Sequence, residues 1–113
     1  MDNKANILKQ LRAIPNVGKI VSEDLFRLGY RSLADLKEED PDMMYVRHND
    51  QKGKVQDICM LYTFRSIVYF ANTFGGPQDT EKLKWWNWMD KKKVSSKSKD
   101  DQIRMKKGMP PIQ

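Results

Sequence analysis

The chain has 113 residues, a formal net charge of +6 and 39% hydrophobic residues, which suits a single globular domain with a modest core. No apolar run is long enough to span a bilayer, and the first residues lack the pattern of a secretory signal. The single cysteine, Cys59, excludes an internal disulfide, and one cysteine and one histidine are too few for a zinc cluster. We therefore expect a protein of the reducing cytoplasm, with no metal, no cofactor and no membrane partner.

The positive charge is concentrated at the end of the sequence. Residues 90–113 contain eight basic and three acidic side chains, a net charge of +5, whereas residues 1–89 carry only +1. We therefore divide the chain into a folded domain, residues 1–89, and a basic, flexible Lys/Ser-rich tail, residues 90–113. The tail composition cannot bury enough surface to fold alone. It is either a disordered solubilising segment or a source of non-specific, salt-sensitive attraction to phosphates.

The first predicted element is a short helix that ends in a tight turn. Asp2 or Asn3 can cap this helix. Its inner face consists of three apolar residues at helical spacing, Ile7, Leu8 and Leu11. Pro15 restricts the residue before it to extended conformations, so the helix must stop near Ala13 or Ile14. In the turn, Asn16 and Gly18 tolerate left-handed backbone angles, and Val17 between them is expected to point into the core.

The second helix is predicted to begin at about Lys19 and to end at Gly29, which suits a left-handed cap. Its apolar residues recur at helical spacing and are expected on the buried face: Ile20, Val21, Leu25 and Leu28. Its acidic pair, Glu23 and Asp24, is expected to face solvent. The first amides of this helix have no intrahelical acceptor and lie at the positive end of the helix dipole. With the charge of Lys19 they form a candidate phosphate site; the alternative is a plain connection between two helices.

Two further helix starts follow. Ser32 begins a short connecting helix over residues 33–38, with a sequence similar to a capping box. Asp40 and Pro41 then combine a capping residue with proline at the first helical position. His48 lies at the end of that helix, where a lone histidine is expected to be a surface or capping group.

A polar break is predicted at residues 49–54. It lacks the apolar and glycine spacing of the turn at residues 14–19, so it is either an ordinary loop or a degenerate second copy of that turn. Lys52 and Lys54 are candidates for contact with a phosphate, and the alternative is an ordinary solvated loop.

The longest and most apolar helix is predicted from Val55 to Asn72, and it should be central because it is apolar nearly all round. Arg65 within it needs a carboxylate partner or an exposed edge, since an unpaired buried charge is costly. We favour structural pairing of Arg65 over a phosphate contact. Cys59 is expected to be a small buried hydrophobe. A glycine- and proline-containing turn at residues 74–77 ends the helix.

Three tryptophans in four residues lie on the last predicted helix, Glu81 to Met89. Trp85 and Trp88 share a side, and Trp86 points about 100° away from Trp85. Such aromatics beside lysines can stack on the bases of single-stranded nucleic acid. Such aromatic residues also pack a terminal helix against a small core, and we expect this role for at least Trp86.

The turn Ile14-Pro15-Asn16-Val17-Gly18-Lys19 resembles the hairpin of the helix-hairpin-helix family of DNA-binding modules. The family pattern is an apolar residue, any residue, glycine, an apolar residue and glycine, followed by a basic residue or proline. Asn16 stands where the family usually has glycine. The order of elements, with the runs CMLYTFRSIVYFA and LKWWNWMD, is similar over about residues 5–90 to the small bacterial family known as pathogenicity-locus helix-hairpin-helix proteins.

The resemblance implies an all-α fold, a compact helix-hairpin-helix (SAM-like) bundle of about five or six helices. It also implies that the hairpin amides hold the sugar-phosphate backbone of DNA without reading its sequence. With the two lysines of the polar break, the expected nucleic-acid-binding residues are Asn16, Val17, Gly18, Lys19, Lys52 and Lys54.

We therefore expect a monomeric, non-enzymatic protein that binds DNA without sequence preference. The alternative is a helical adaptor that contacts a partner protein through Trp85 or Trp88 of the Trp-rich C-terminal helix. An enzyme related to DNA glycosylases is disfavoured, because such enzymes need a downstream catalytic aspartate and a second lobe for a flipped base. The downstream acids Asp35 and Asp40 read as helix starts, and no catalytic residue is assigned.

Overall fold

The computed structural model describes residues 3–90 and 98–111, and all of its regular structure is helical. The described residues form five α-helices: α1 (Lys4–Leu11), α2 (Lys19–Arg27), α3 (Pro41–Lys52), α4 (Cys59–Thr73) and α5 (Lys99–Lys107). Short 3₁₀-helical turns lie at Leu33–Leu36, Thr80–Leu83 and Trp85–Trp88. The predicted all-α fold is confirmed. None of the helices in these ranges has the length and apolar character needed to cross a bilayer.

Helix α4 is the central element, as its composition predicts. It packs against α3 and against all three 3₁₀ turns. Four of its side chains are fully enclosed: Leu61, Phe64, Ile67 and Ala71. The helix begins at Cys59 rather than at the predicted Val55, which is 44% exposed. The reason is local, because the Asp57 carboxylate accepts a hydrogen bond from the Cys59 amide at 2.8 Å and fixes the helix start there.

Most predicted helix ends are confirmed, because they depend on residues close in the sequence. Asn3 caps α1 by accepting from the Asn6 amide at 2.9 Å. Gly29 follows α2 with a φ of 103°, and the amide after it returns to the Leu25 carbonyl at 3.1 Å, which is the Schellman arrangement. Asp40 caps α3 with proline at the first helical position.

The predicted polar break is wrong for residues 49–52, which form the last turn of α3. Asn49 is fully buried there. Its side-chain oxygen accepts from the Gln56 amide at 2.9 Å, and its amide group donates to Asp100 at 2.9 Å. The loop begins only at Gly53, which has a φ of 73°. A polar residue could join the helix because its hydrogen bonds are satisfied inside the protein.

The prediction of a basic tail from residue 90 is wrong for residues 99–107, which form α5. This helix packs against α3 and buries Ile103 in the core. Two charged side chains of α5, Asp100 and Arg104, are also buried, and they pair with each other at 2.7 Å. The remaining basic stretch, residues 91–97, lies outside the described residues.

The single helix predicted for residues 81–89 is wrong, because the chain forms two 3₁₀ turns separated by Lys84 in an extended conformation. The turns reverse the predicted tryptophan roles. Trp85 and Trp88 are half-buried against the core, whereas Trp86, expected to clamp the core, is 51% exposed. Trp88 also donates its indole N–H to the Lys82 carbonyl at 2.7 Å.

Arg65 of α4 has the structural pairing that its position predicts. Its guanidinium lies 2.9 Å from the Asp90 carboxylate and 3.9 Å from that of Asp42, and it donates to the Trp88 carbonyl at 2.8 Å. Burial raises the pKa of Asp90, but the nearby Arg65 and Lys99 outweigh it and hold the pKa below its ordinary value. Arg65 therefore fastens the Trp-rich turn to the central helix.

Candidate nucleic-acid interface

The hairpin between α1 and α2 is closed by a succession of short backbone hydrogen bonds. The Ala13 amide donates to the Gln10 carbonyl, the Ile14 amide to the Leu11 carbonyl and the Val17 amide to the Ile14 carbonyl, each at 3.1 Å. Ile14 and Val17 are buried in the core. Their burial fixes the hairpin as a rigid unit on the body of the protein.

The amides at the start of α2 are the feature that can bind an anion. The Val17 amide already donates to the Ile14 carbonyl. The prediction that the amides of residues 17 to 19 are free is therefore wrong for Val17. No acceptor within residues 3–90 and 98–111 takes the amide hydrogens of Gly18 or Lys19, and both residues are exposed. They lie at the positive end of the α2 dipole, where backbone donors commonly hold phosphate.

Gly18 leaves open space in front of these donors. Its backbone is extended, with φ −98° and ψ −162°, so its conformation does not require glycine. A Cβ atom built at this position meets no other atom within 4 Å. The left-handed position in the hairpin belongs to Asn16 instead, at φ 71°. The absence of a side chain at residue 18 therefore permits close approach from outside and is not demanded by the fold.

Asn16 turns its side chain inward. Its amide nitrogen donates to the Leu83 carbonyl and, at 3.2 Å, to the Ser66 hydroxyl of α4. The hairpin is thereby tied both to the central helix and to the turn that precedes the tryptophans. Since the side chains of Asn16 and Val17 face the protein, a contact from either to a ligand would have to come from the backbone.

Three basic residues flank the hairpin in the sequence, and none of them has an acidic partner among the described residues. Lys9 and Arg12 lie at the end of α1, Lys19 begins α2, and all three are exposed. Lys9 and Arg12 were not among the predicted site residues, although their position at the end of the first helix places them beside the hairpin. Ile20 is 75% exposed next to them, so its predicted place on the buried face is wrong.

The two other predicted lysines, Lys52 and Lys54, differ from each other in their surroundings. The Lys52 ammonium lies 3.6 Å from the carboxylate of Asp24. Asp24 is five residues into α2, about 7.5 Å along the helix axis from Lys19. Lys54 is exposed in the loop after α3, and its backbone carbonyl accepts from the Gln56 side chain at 3.1 Å. Lys52 is therefore engaged by an internal carboxylate, whereas the ammonium of Lys54 is in solvent.

Asp24 is buried, at 4% exposure, so the prediction that it faces solvent is wrong. Arg27 and Lys52 both approach its Oδ1 atom at 3.6 Å, and this buried oxygen has no hydrogen-bond partner within the described part of the chain. The last turn of α3 lies beside this part of α2, since the Gln51 side chain donates to the Arg27 carbonyl at 2.9 Å. His48, predicted at the surface, is buried there as well, with its ring edge-on to Phe64 at 5.8 Å between centroids.

Burial lowers the pKa of His48, while the nearby Asp24 carboxylate raises it and Lys52 and Arg27 lower it further. The unfolded chain therefore takes up a proton near pH 6.5 that the folded protein resists. We expect the free energy of unfolding to fall as the pH drops below about 6.5, by at most about 1.4 kcal/mol per pH unit. Urea unfolding at pH 7.5, 6.5 and 5.5 measures this slope.

Because His48 is the only histidine in the sequence, the variant His48→Gln is the matched control for this titration. Its unfolding free energy should change less over the same pH interval. A wild-type stability that does not vary from pH 7.5 to 5.5 would contradict a neutral buried histidine.

Comparison with known proteins gives two matches. A family model described as pathogenicity locus matches residues 4–94. The protein named mitomycin resistance protein McrB, from Streptomyces lavendulae, is 31% identical over 83 residues, which cover 74% of this chain and 73% of that protein. No solved structure matches at a significant level. The region matched by the family model includes the whole hairpin, the central helix and the tryptophan turn.

Proposed function

The chain belongs to the pathogenicity locus family, and on that premise we propose that it is a non-enzymatic, monomeric, cytoplasmic protein that binds DNA without sequence preference. The observation that carries the proposal is that Gly18 and Lys19 are exposed and that no internal acceptor in the described ranges takes their amide hydrogens. The relative from Streptomyces lavendulae is named for resistance to mitomycin, and that name specifies no ligand for this chain. The proposal therefore depends on the hairpin itself.

A phosphate oxygen suits this position for physical reasons. Hydrogen bonds between backbone amides and an ionised oxygen are shorter and stronger than those between neutral groups. The dipole of α2 adds to the attraction, and the side chains of Lys9, Arg12 and Lys19 supply full positive charges that no described acidic group neutralises. The missing side chain at Gly18 lets the oxygen approach the amides closely.

The same contacts explain why binding should ignore sequence. Hydrogen bonds to phosphate position a protein on the nucleic acid but carry no information about the bases. A single hairpin with three nearby cations makes few such contacts, so the affinity should be modest and should fall steeply with salt.

A salt titration tests the proposal. We expect the logarithm of the affinity for a random DNA duplex to decline linearly with the logarithm of salt concentration. Lys19→Ala and Arg12→Ala should each weaken binding and reduce the slope by about one. Lys106→Ala is the matched control, since it removes one exposed charge from α5 and should leave the slope closer to wild type. Equal slopes for all four proteins would contradict a site at the hairpin.

A second candidate function is that of a protein adaptor, and the exposure of Trp86 and Met89, each 51%, favours it. The sequence predicted contact with a partner protein through Trp85 or Trp88. We assign this contact to Trp86 instead, because the other two indoles pack on the core. The salt titration separates the two functions. An adaptor would show no measurable affinity for duplex or single-stranded DNA even at low salt.

A further inference from the structure

A direct hydrogen bond joins the hairpin to the turn that precedes the exposed Trp86. Asn16 of the hairpin donates to the carbonyl of Leu83, the last residue of the Thr80–Leu83 turn. Trp86 follows three residues later, so its Cα atom lies at most about 11 Å from that of Leu83. Through Ser66 the same asparagine also fixes this arrangement to α4. The segment that carries this exposed aromatic ring is thus tied to the hairpin that carries the candidate phosphate site.

Trp86 is held in position although half of its surface is exposed. The ring of Trp85 packs edge-on against it, with 5.8 Å between centroids and an angle of 87° between planes. The residue after it, Asn87, donates its side-chain amide to the Glu81 carbonyl at 2.6 Å. Trp88 then returns to the Lys82 carbonyl and packs on Tyr69 at 5.7 Å between centroids. An aromatic side chain fixed in this way is ready to stack on a ligand with little loss of freedom.

The charges around Trp86 favour an anionic partner. Glu81 is engaged by the Lys84 ammonium at 3.2 Å, and Asp90 lies 2.9 Å from Arg65 and 3.4 Å from Lys99. Lys82 has no carboxylate partner among the described residues, and its ammonium lies 5.7 Å from the centre of the Tyr69 ring. Glu81 and Asp90 are therefore paired with cations and Asp79 caps the Thr80–Leu83 turn, while the ammonium of Lys82 is left without a carboxylate among the described residues.

We propose that Trp86 stacks on an unpaired base of a DNA strand whose phosphate is held at the hairpin, so that the preferred ligand is single-stranded DNA. The inference rests on the proposed function and adds the form of the nucleic acid. A base inside a duplex has both faces covered by its neighbours, whereas an unpaired base offers a free face to an indole. Stacking is tolerant of sequence because every base has such a face, and it therefore agrees with binding that does not read sequence.

Binding of fluorescent oligonucleotides tests the inference, with a single strand of twelve thymidines compared with a closed DNA hairpin of similar length. We expect the wild-type protein to prefer the single strand. Trp86→Ala should weaken single-strand binding about five- to tenfold, the lower end of the range for loss of one stacked base, and change duplex binding by less than about twofold. Trp86→Phe should retain most of the single-strand affinity.

Phe74→Ala is the matched control, because it removes another exposed aromatic ring, 61% exposed, at the end of α4. A loss of single-strand affinity no larger for Trp86→Ala than for Phe74→Ala would overturn the inference. So would a self-association, seen by sedimentation, that Trp86→Ala abolishes without a change in DNA affinity. If duplex binding depends on Lys19 while Trp86→Ala has no effect, the proposed function stands and only the proposed stacking by Trp86 is contradicted. If neither nucleic acid is bound, the proposed function fails with it.

Discussion

Replacing Arg104 by alanine will lower the free energy of unfolding by about 3–5 kcal/mol and release α5 from α3. Arg104 is 3% exposed, and its guanidinium lies 2.7 Å from Asp100 and 2.7 Å from Asp50. It also donates to the Pro110 carbonyl at 2.8 Å. The variant would leave the Asp100 carboxylate, 1% exposed, without its cation, and an unpaired buried charge is costly. Urea unfolding gives the loss, and amide hydrogen exchange shows whether α5 opens.

Two neighbouring variants make this result specific. Lys106→Ala removes an exposed charge from the same helix and should change stability by no more than about 0.5 kcal/mol. Arg104→Lys keeps the charge but loses the planar set of donors, so its stability should lie between those of the wild type and the alanine variant. If Arg104→Ala were as stable as Lys106→Ala, the ion-paired cluster would not be what holds α5 in place.

The double variant Gly18→Glu with Lys19→Glu will bind DNA at least about tenfold more weakly than the wild type, because two new carboxylates would occupy the position expected for the phosphate. The fold should survive. The Gly18 backbone angles suit any residue, a Cβ there meets nothing within 4 Å, and negative charge at a helix start is favourable. Fluorescence anisotropy at low salt measures the change, with a thermal melt of each protein to show that it is folded.

The matched control is Gly18→Gln with Lys19→Gln, which introduces side chains of the same size without negative charge. We expect this variant to lose less affinity than the glutamate pair, and the difference isolates electrostatics from steric blocking. Binding by the glutamate variant equal to that of the wild type would show that DNA, if it is bound, is held elsewhere on the protein.

The parts of the fold that depend on neighbouring residues were predictable from sequence. The start of α2 after the hairpin, the left-handed Gly29 and the Asp40–Pro41 helix start are all set within a few residues. The central position of α4 followed from its composition. These features agree because local conformational preferences and the apolar pattern favour the same structure.

The buried polar residues could not be predicted in this way. Asp100 and Arg104 read as members of a solvated basic segment, and their burial depends on Asn49 and Asp50, about fifty positions earlier in the chain. His48 is buried because α3 packs against α4, where its ring meets Phe64. No pattern within one helix reveals a partner that only tertiary packing supplies.

The candidate site likewise has features that local sequence predicts and features that depend on the folded structure. The exposed glycine and lysine at the start of α2 followed from the sequence of the turn. The hydrogen bond from the Val17 amide to the Ile14 carbonyl depends on how the turn closes. The exchange of roles among the tryptophans has a simple cause. A continuous helix would have set the direction of Trp86, but the break at Lys84 reorients it toward solvent.

The most direct test of the hairpin site is an NMR titration of the ¹⁵N-labelled protein with a DNA oligonucleotide. The amide resonances of Gly18 and Lys19 should move downfield and saturate together, because their hydrogens would enter charge-assisted hydrogen bonds with a phosphate. The Val17 amide, already bonded to Ile14, should move less. Saturable shifts elsewhere, with the Gly18 and Lys19 resonances unmoved, would contradict binding of the phosphate backbone by the hairpin amides.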